Sequence, residues 1–422
     1  MSTHPAPPPR FAALRIPAYR QYFSFSLMSM MADNIEHVIS YWVMFQTFHS
    51  AALGGFAVIS HWVPFLLFSL YTGALADRYD CRRLIQVSQA LFMVASLSWG
   101  LLFLAGKLQM WHAVVLLVIH GFAGVIGAPA TQLIIHDMVP PEDLPSAIRL
   151  NASSRYLSIL LGPAVGGGLM LLLGPAWGLL TNVLIYLPFT ILLTRFPYTG
   201  HAVRGAGRKV QAFGLADAWN VFTTVRAEQR IMAMIVIAGA TSFFVGNAFQ
   251  AQMPAYANFL GADETGTRYT MLLAADAVGA VIGVLLLETA NFSTPTVQTA
   301  VVSAGLWGVT MGLFPLTHSY PAALALLVLA GIFNIAFQSM SQTLVQLLAP
   351  SHIRGRVVGV FTMAMLGLRA GSGLMVGLLG TVIGVRYSLA ISSLAVVLIA
   401  AGLLAREARA GAAVSAERGI SA

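Results

Sequence analysis

Residues 54–83 read GGFAVISHWVPFLLFSLYTGALADRYDCRR, and the order of apolar and charged residues in this stretch decides the fold class. The first part, 54–75, contains no Asp, Glu, Lys or Arg. An α-helix needs about 20 mainly apolar residues to cross a bilayer, so this part predicts a membrane span. The charged cluster at 77–83 follows at once, as expected for the aqueous loop in which a span ends.

The same pattern recurs along all 422 residues. Hydrophobic residues make up 58% of the chain and charged residues only 9%, against roughly 25% charged in an ordinary soluble domain. A water-soluble fold cannot hide that much apolar surface, so lipid is the expected solvent. Twelve segments are predicted as spans: 22–47, 54–75, 84–105, 112–136, 147–172, 176–195, 231–256, 269–288, 296–317, 322–348, 357–381 and 384–405.

The positions of the basic residues predict the orientation. With the N-terminus in the cytoplasm, eighteen of the 23 Lys and Arg residues fall in cytoplasmic segments. The outside loops hold Lys107, Arg268 and Arg386, and Arg155 and Arg369 lie within spans. Because Lys and Arg concentrate on the cytoplasmic side of membrane proteins, both termini are predicted to be cytoplasmic, in a bacterial inner membrane. The net charge of +8 reflects this bias, and no nucleic-acid partner is expected.

The chain divides into two similar halves. Residues 138–151 (MVPPEDLPSAIRLN) and 348–360 (LAPSHIRGRVVGV) each place a polar turn after Pro and then a basic residue that opens a Gly-rich helix. Parallel repeats of this kind are one known transporter plan, with the substrate between the halves. The predicted regions are an N-terminal six-helix bundle at 1–195, a cytoplasmic linker at 196–230, a C-terminal six-helix bundle at 231–405 and a cytoplasmic tail at 406–422.

The loop between spans 2 and 3, GALADRYDCRR, resembles the signature loop of the major facilitator superfamily. The matching residues are Gly73, Asp77, Arg78, Arg82 and Arg83. Asp80 replaces a Gly of the general pattern, a variant similar to that of drug and siderophore exporters, and Cys81 replaces a basic residue.

Two interpretations of this loop are open. Gly73 allows close helix packing, and Asp77 near a helix end can bond to orphan N–H groups of a neighbouring helix, so that the cluster latches two bundles together. Alternatively, the loop is only a basic cluster that sets the topology.

A second segment, SILLGPAVGGGL at 158–169, resembles the antiporter motif of the same superfamily. The matching residues are Gly162, Pro163, Gly166, Gly167 and Leu169, with Ser158 in place of the first Gly. That motif goes with exporters, although small residues and a Pro also suit a bent helix that only packs tightly. Segments 127–139 and 353–359 are similar to the enterobactin-exporter and macrolide-efflux branch.

The resemblance implies an all-α membrane protein of the major facilitator fold. In that fold, twelve transmembrane helices form two six-helix bundles related by a pseudo-two-fold axis. It also implies a secondary active transporter that works by alternating access.

Span 1 carries ionisable residues near its middle, where each costs about 2.5 to 3.5 kcal/mol. Asp33 and Glu36 are three residues apart, and His37 and Ser40 continue the series on the same helix face. Such a face is expected to look into the central cavity. Two close carboxylates repel each other, which favours the uptake of a proton. A polar helix–helix contact is the alternative.

The second half has its own polar residues within spans. Asp276 in span 8 and Arg369 in span 11 form either a structural ion pair or part of a substrate site. Span 10 carries an uncharged face suited to a polar ligand: Asn334, Gln338, Ser341 and Gln342. The single histidines of other spans are interpreted as packing or interfacial residues: His61, His120 and His136.

Motifs of other function classes are missing from the sequence. It contains no GxxxxGK[ST] loop for ATP, no HExxH or Cys/His cluster for zinc and no GxSxG nucleophile elbow. No enzyme activity, cofactor or metal site is therefore predicted. Cys81 is the single cysteine, which excludes an intramolecular disulfide.

The leading prediction is proton-coupled export of a small, siderophore-like or drug-like organic molecule. The expected partners are the substrate, protons and membrane lipid, and the chain is expected to act as a monomer. An importer or facilitator is the alternative of the same class. A non-transporting receptor would need a sizeable extramembrane domain, whereas the longest polar stretch, 196–230, has 35 residues.

Overall fold

The computed structural model describes residues 11–200, 223, 226, 228–261, 266–289, 296–349 and 354–420, and these residues form helices joined by short turns. The N-terminal part contains α1 (Pro17–Phe48), α2 (Ala51–Arg78), α3 (Cys81–Leu104), α4 (Met110–Leu133), α5 (Ile135–Met138), α6 (Leu144–Leu173) and α7 (Pro175–Arg195). The C-terminal part contains α8 (Gln229–Phe244), α9 (Ala248–Ala251), α10 (Met253–Phe259), α11 (Thr267–Thr289), α12 (Val297–Leu313), α13 (Tyr320–Leu348), α14 (Arg354–Thr362), α15 (Arg369–Ser372), α16 (Leu379–Ile383) and α17 (Val385–Ile420).

Ten helical segments of the described chain are long and apolar enough to cross a membrane. They coincide with ten of the predicted spans: Ala51–Ser69, Cys81–Leu104, Met110–Met138, Pro175–Arg195, Gln229–Ala251, Thr267–Leu287, Val297–Leu316, Tyr320–Leu348, Val357–Ile383 and Val385–Arg409. The other two predicted spans, 22–47 and 147–172, lie within α1 and α6, which are helices of 32 and 30 residues. The structure therefore places a helix at every predicted span, and ten of these helices meet the requirement for crossing.

Packing divides the chain into two compact units. One unit consists of Met1–Thr47 and Val63–Ala212, and the other of Phe48–Trp62 and Phe213–Ala422. The first part of α2 thus belongs to the second unit, whereas the prediction assigned all of span 2 to the N-terminal bundle. Of the predicted linker, the structure describes 196–200, 223, 226 and 228–230.

Polar bonds between helices support the apolar packing of the first unit. The buried Tyr22 of α1 donates its hydroxyl hydrogen to the Thr131 carbonyl of α4 at 2.8 Å. The fully buried Asn182 of α7 donates to the Ala32 carbonyl of α1 at 2.9 Å and to the Ser96 hydroxyl of α3 at 3.1 Å. Lipid offers no alternative partner for these groups, so each bond fixes one helix against another.

The glycines of the antiporter-like motif bring α6 against α1. A Cβ atom at Gly162 would overlap the Cβ of Asn34, and one at Gly166 would lie 3.2 Å from the Ile35 Cα. The two helices therefore approach more closely than an Ala at Gly162 allows, and an Ala at Gly166 would be tight. The two other motif residues are Pro163, inside α6, and Gly167, which is buried. The tight packing expected of this motif is confirmed.

Small residues also form a close helix crossing in the second unit. A Cβ at Gly279 of α11 would overlap the Val328 carbonyl of α13, and a Cβ at Gly331 of α13 would overlap the Asp276 carbonyl of α11. Gly283 continues the contact one turn further, against Ile335. Such small residues let membrane helices gain van der Waals contact along their backbones.

Two predicted spans of the second unit are irregular helices. Span 7 breaks after α8, where Gly246 has a φ of +43° and a Cβ would lie 2.6 Å from the Ser372 Oγ. Span 11 contains π-helical turns at Met363–Gly367 and Gly373–Leu378, on either side of Arg369. Single π-turns inside α-helices often occur at functional sites.

We expect Gly162→Ala to destabilise the protein, because the added methyl group overlaps Asn34. Overpacking of this kind costs about 1–3 kcal/mol. The measurement is the apparent melting temperature of purified protein in detergent.

Gly168→Ala is the matched control, since a Cβ there meets no described atom within 4 Å. Both changes lie in α6 and carry the same gain in helix propensity, about 1 kcal/mol. The difference between them therefore isolates the contact with α1. Equal melting temperatures for the two variants would contradict the close approach of α6 and α1.

Candidate functional site

Two carboxylates of α1 stand at the centre of the candidate site. The side chain of Asp33 is 29% exposed, whereas that of Glu36 is 2% exposed. The expectation that both carboxylates look into an open cavity is therefore wrong for Glu36, which lies inside the first unit. A buried charge of this kind is tolerated only when it has a partner.

His120 of α4 provides that partner and bridges the two carboxylates. Its Nδ1 lies 2.8 Å from Glu36 Oε1 in hydrogen-bond geometry, and its Nε2 lies 2.9 Å from Asp33 Oδ1. The interpretation of His120 as a packing residue is therefore wrong. A doubly protonated imidazole can donate to both carboxylates, whereas the neutral ring can donate to only one. The ring thus offsets the repulsion between the carboxylates.

His37 joins the same cluster from α1. Its Nδ1 lies 2.8 Å from the backbone carbonyl of Asp33 and 3.7 Å from the Asp33 Oδ1. Its ring stands nearly perpendicular to that of His120, with 4.6 Å between the ring centroids. Ser40, in contrast, donates its hydroxyl hydrogen to the His37 carbonyl at 3.3 Å. Of the predicted polar face, Asp33, Glu36 and His37 therefore come together, and Ser40 bonds to its own helix.

Aromatic side chains pack around His120, the buried centre of the cluster. Phe92 of α3 lies 4.8 Å from the His120 ring, centroid to centroid, and stacks on Tyr186 of α7 at 5.5 Å. Two buried oxygens nearby, Glu36 Oε2 and the Tyr186 hydroxyl, have no hydrogen-bond partner among the described residues. In such an apolar pocket, each charge interacts more strongly with its neighbours than it would in water.

Asp276 and Arg369 do not form the expected ion pair. Asp276 lies on α11, and its buried Oδ1 has no hydrogen-bond partner among the described residues. The Arg369 guanidinium instead lies 5.0 Å from the centre of the Trp62 ring, a cation–π distance. The structural ion pair is thus ruled out in this conformation, and the assignment of the two residues to a substrate site stays a prediction.

The uncharged face predicted on span 10 is present on α13 in part. The Gln338 amide donates to the Asn334 side-chain oxygen at 2.8 Å. Ser341 is fully buried, and its hydroxyl has no partner among the described residues. Gln342 is half-buried. Asn334 and Gln338 therefore satisfy each other in part, and Ser341 packs into the interior of the second unit.

The signature loop forms a local ion pair. The Asp80 side chain caps α3 by accepting from the Arg82 backbone N–H at 2.9 Å, and it binds the Arg82 guanidinium at 2.6 Å. Partial burial raises the pKa of Asp80, but the hydrogen bonds from Arg82 and the charges of Arg82 and Arg83 outweigh it, so the pKa lies below its ordinary value of 3.8. The Arg82 guanidinium therefore forms its ion pair within the signature loop.

The other signature residues lie around this pair. Asp77 is half-buried in the last turn of α2, and Arg78 and Arg83 are exposed. A Cβ at Gly73 would meet no described atom within 4 Å. The close helix packing expected at Gly73 is therefore not found in this conformation.

The segment after α7 is attached to the signature loop. The Arg82 guanidinium donates to the Phe196 carbonyl at 2.5 Å, and the Cys81 backbone N–H donates to the Thr199 carbonyl at 2.9 Å. The Gly200 backbone N–H donates to the Asp137 carboxylate at 2.6 Å. The Cys81 side chain is completely buried beneath this segment. The start of the predicted linker is thus fixed on the first unit.

Comparison with known proteins places the chain among transporters. The family model described as transmembrane secretion effector matches residues 9–418. The staphyloferrin A transporter of Staphylococcus aureus is 22% identical over 355 residues, which cover 82% of this chain and 85% of that protein. The multidrug efflux pump Tap of Mycobacterium tuberculosis is 24% identical over 368 residues, which cover 82% of this chain and 83% of that protein.

A solved structure shows the same fold. The crystal structure of the nucleoside transporter NupG aligns with a TM-score of 0.71 at 15% identity, over 92% of this chain and 98% of that one.

We expect Asp80→Asn to lower the melting temperature in detergent at neutral pH. Asn can still cap the helix, but it lacks the charge that binds Arg82, a loss of about 0.2–1 kcal/mol for a partly exposed pair. Because the folded-state pKa is lowered, this stabilisation is fully present above pH 3.8 and is lost as the pH falls through the lowered value. The difference from wild type should therefore persist at pH 3.8 and disappear in stronger acid.

Asp143→Asn serves as the matched control. Asp143 also occupies a helix N-cap, at α6, but its side chain makes no capping hydrogen bond. A similar loss of stability in both variants would show that the Asp80 effect comes from general charge balance and not from Arg82.

Proposed function

The chain belongs to the transmembrane secretion effector family of the major facilitator superfamily, and on that premise we propose that it exports a small organic molecule in exchange for protons. It is a multi-pass membrane transporter of a small molecule and not an enzyme. The single observation that supports proton coupling most directly is the Asp33–His120–Glu36 cluster. Ionisable residues at this depth in a membrane protein are costly and mark ion or substrate pathways.

The proposed architecture has twelve spans in two six-helix bundles related by a pseudo-two-fold axis. The ten apolar helices and the two long helices at the remaining predicted spans support this count. An even count agrees with cytoplasmic termini, which the excess of Lys and Arg on one side favours. We place the protein in a bacterial inner membrane, in contact with lipid, as a monomer.

The proposed substrate is siderophore-like or drug-like. The names of two relatives support this class, since one is a staphyloferrin A transporter and the other a multidrug efflux pump. The antiporter-like glycines of α6 support the outward direction, because that motif goes with exporters in the superfamily. The α6 glycines pack against Asn34 and Ile35, next to the carboxylates of α1. A movement of α6 would therefore displace the turn of α1 that carries these carboxylates.

Coupling is proposed to begin at Asp33, with Glu36 as its helper. Asp33 is the more accessible of the two carboxylates. A cationic group of the substrate and a proton can each neutralise it, so the two compete for the same carboxylate. Competition of this kind exchanges inward proton flow for outward substrate flow.

Alternating access requires helix contacts that form and break. Asp77 is proposed to act as one such contact, a latch formed in one state only. The open space beside Gly73 is compatible with a contact that forms in another state.

We expect a pH gradient, acid inside, to drive accumulation of substrate in everted membrane vesicles. Ethidium and desferrioxamine serve as drug-like and siderophore-like probes. Asp33→Asn should abolish this uphill movement and still allow downhill exchange, because the neutral amide mimics a permanently protonated carboxyl group. Uphill uptake into right-side-out vesicles instead would show that the protein imports its substrate.

We expect Asp77→Asn to reduce transport strongly while the protein remains in the membrane at its normal level. The change removes one charge at nearly constant volume. Asp80→Asn is the matched control and should retain most transport, because the partner of Asp80 is in the same loop. Normal transport by Asp77→Asn would leave the loop as a topology signal only.

A further inference from the structure

We propose that the His120 ring passes the coupling proton between Asp33 and Glu36, and that Glu36 stores it. This inference rests on the proposed proton coupling. It adds a residue that the sequence motifs do not indicate, and it gives the buried Glu36 a task other than repelling Asp33.

The geometry of the ring supports a relay. The two nitrogens of His120 lie on different edges of the imidazole. Nδ1 is in hydrogen-bond geometry with Glu36 Oε1 at 2.8 Å, and Nε2 lies at an ion-pair distance of 2.9 Å from Asp33 Oδ1. An imidazole can accept a proton on one nitrogen while it donates the proton of the other. The ring therefore connects the two carboxylates without any movement of the backbone.

The difference in burial gives the relay a direction. Asp33 is 29% exposed, so a proton from water can reach it. Glu36 is 2% exposed, and its Oε2 has no hydrogen-bond partner among the described residues. An uncompensated carboxylate oxygen in an apolar pocket is costly, and a proton on Glu36 removes the charge that causes this cost.

The transfer balances without any further reactant. The Asp33 O–H bond breaks and the His120 Nε2–H bond forms, while the Nδ1–H bond breaks and the Glu36 O–H bond forms. In the intermediate arrangement, the ring is an imidazolium between two carboxylates. The net charge of the three groups is −1 throughout, because the net result is the transfer of one proton from Asp33 to Glu36. Release follows the same path in reverse.

His37, Tyr41 and Tyr186 are titratable groups beside the cluster within the first unit, and the Tyr41 ring lies 5.4 Å from the His37 ring. His37 of α1 lies 3.7 Å from Asp33, and Tyr186 of α7 stacks on Phe92. The Phe92 side chain of α3 is uncharged, and α6 approaches α1 here through glycines. Within this unit, His37 is the alternative carrier that the experiment has to exclude.

The test is a pH titration of purified protein in detergent by infrared difference spectroscopy, which detects protonated carboxyl groups through their C=O stretch. The relay predicts a carboxyl band that titrates in wild type and is lost in Glu36→Gln. After a rapid pH jump, the band should appear much more slowly in His120→Asn than in wild type, because Glu36 then lacks its proton path from Asp33. His37→Asn and the matched control His136→Asn, an exposed histidine of α5 in the same apolar segment Met110–Met138, should show the wild-type rate.

Three outcomes would overturn the relay. The first is a titrating band that disappears only in Asp33→Asn and not in Glu36→Gln, which leaves the proton on Asp33. The second is a band that appears as fast in His120→Asn as in wild type after the pH jump, and the third is a delayed band in His37→Asn alone. The measurement needs no substrate and no transport, so the vesicle assay tests the proposed function separately.

A purely structural role of His120 gives a different result. In that case His120→Asn would lower the melting temperature without slowing the appearance of the Glu36 band. Glu36→Gln keeps the shape of the side chain and an acceptor for the His120 Nδ1, so it should fold normally. Its spectrum alone decides between proton storage at Glu36 and at Asp33, even if His120→Asn proves unstable.

Discussion

The packing of this protein depends on how closely its helices can approach one another. Inside lipid, burial of apolar side chains gives little drive for one helix to contact another, because lipid is as apolar as the side chains. The remaining attractions are van der Waals contact along the backbones and a few hydrogen bonds. Glycines supply the first where α6 meets α1 and where α11 meets α13. Buried polar side chains such as Tyr22 and Asn182 supply the second.

The candidate site depends on the same close helix contacts and buried hydrogen bonds. Because α6 lies against Asn34 and Ile35, and Asn182 of α7 holds the Ala32 carbonyl, the turn of α1 that carries Asp33 and Glu36 is supported from two sides. A carboxylate there has few orientations available to it. The His120 ring can then bridge both acids at hydrogen-bond distance, which a loosely packed helix would not allow.

The sequence was sufficient to locate the helices and part of the site. Each span is a local property, since about 20 apolar residues in a row have no other place than the membrane. The polar residues of α1 were visible for the same reason. The partner of Glu36 was not visible, because His120 lies 84 residues further along the chain. A histidine in the middle of span 4 was a signal of the same kind as Asp33, but one sequence does not show which helices are neighbours. The structural ion pair of Asp276 and Arg369, one of two open interpretations, is not formed in this conformation, and one sequence could not decide it for the same reason.

The signature loop shows how two departures from a family pattern are connected. Asp80 caps α3 and holds Arg82, which also reaches the Phe196 carbonyl, so the segment after α7 lies across the loop. That segment covers position 81, where the side chain is completely buried beside Gly200. A long basic side chain at this position would have to enter the space that the segment fills, whereas a cysteine fits. Asp80, through Arg82, and the small side chain of Cys81 therefore both suit a loop that holds the start of the predicted linker.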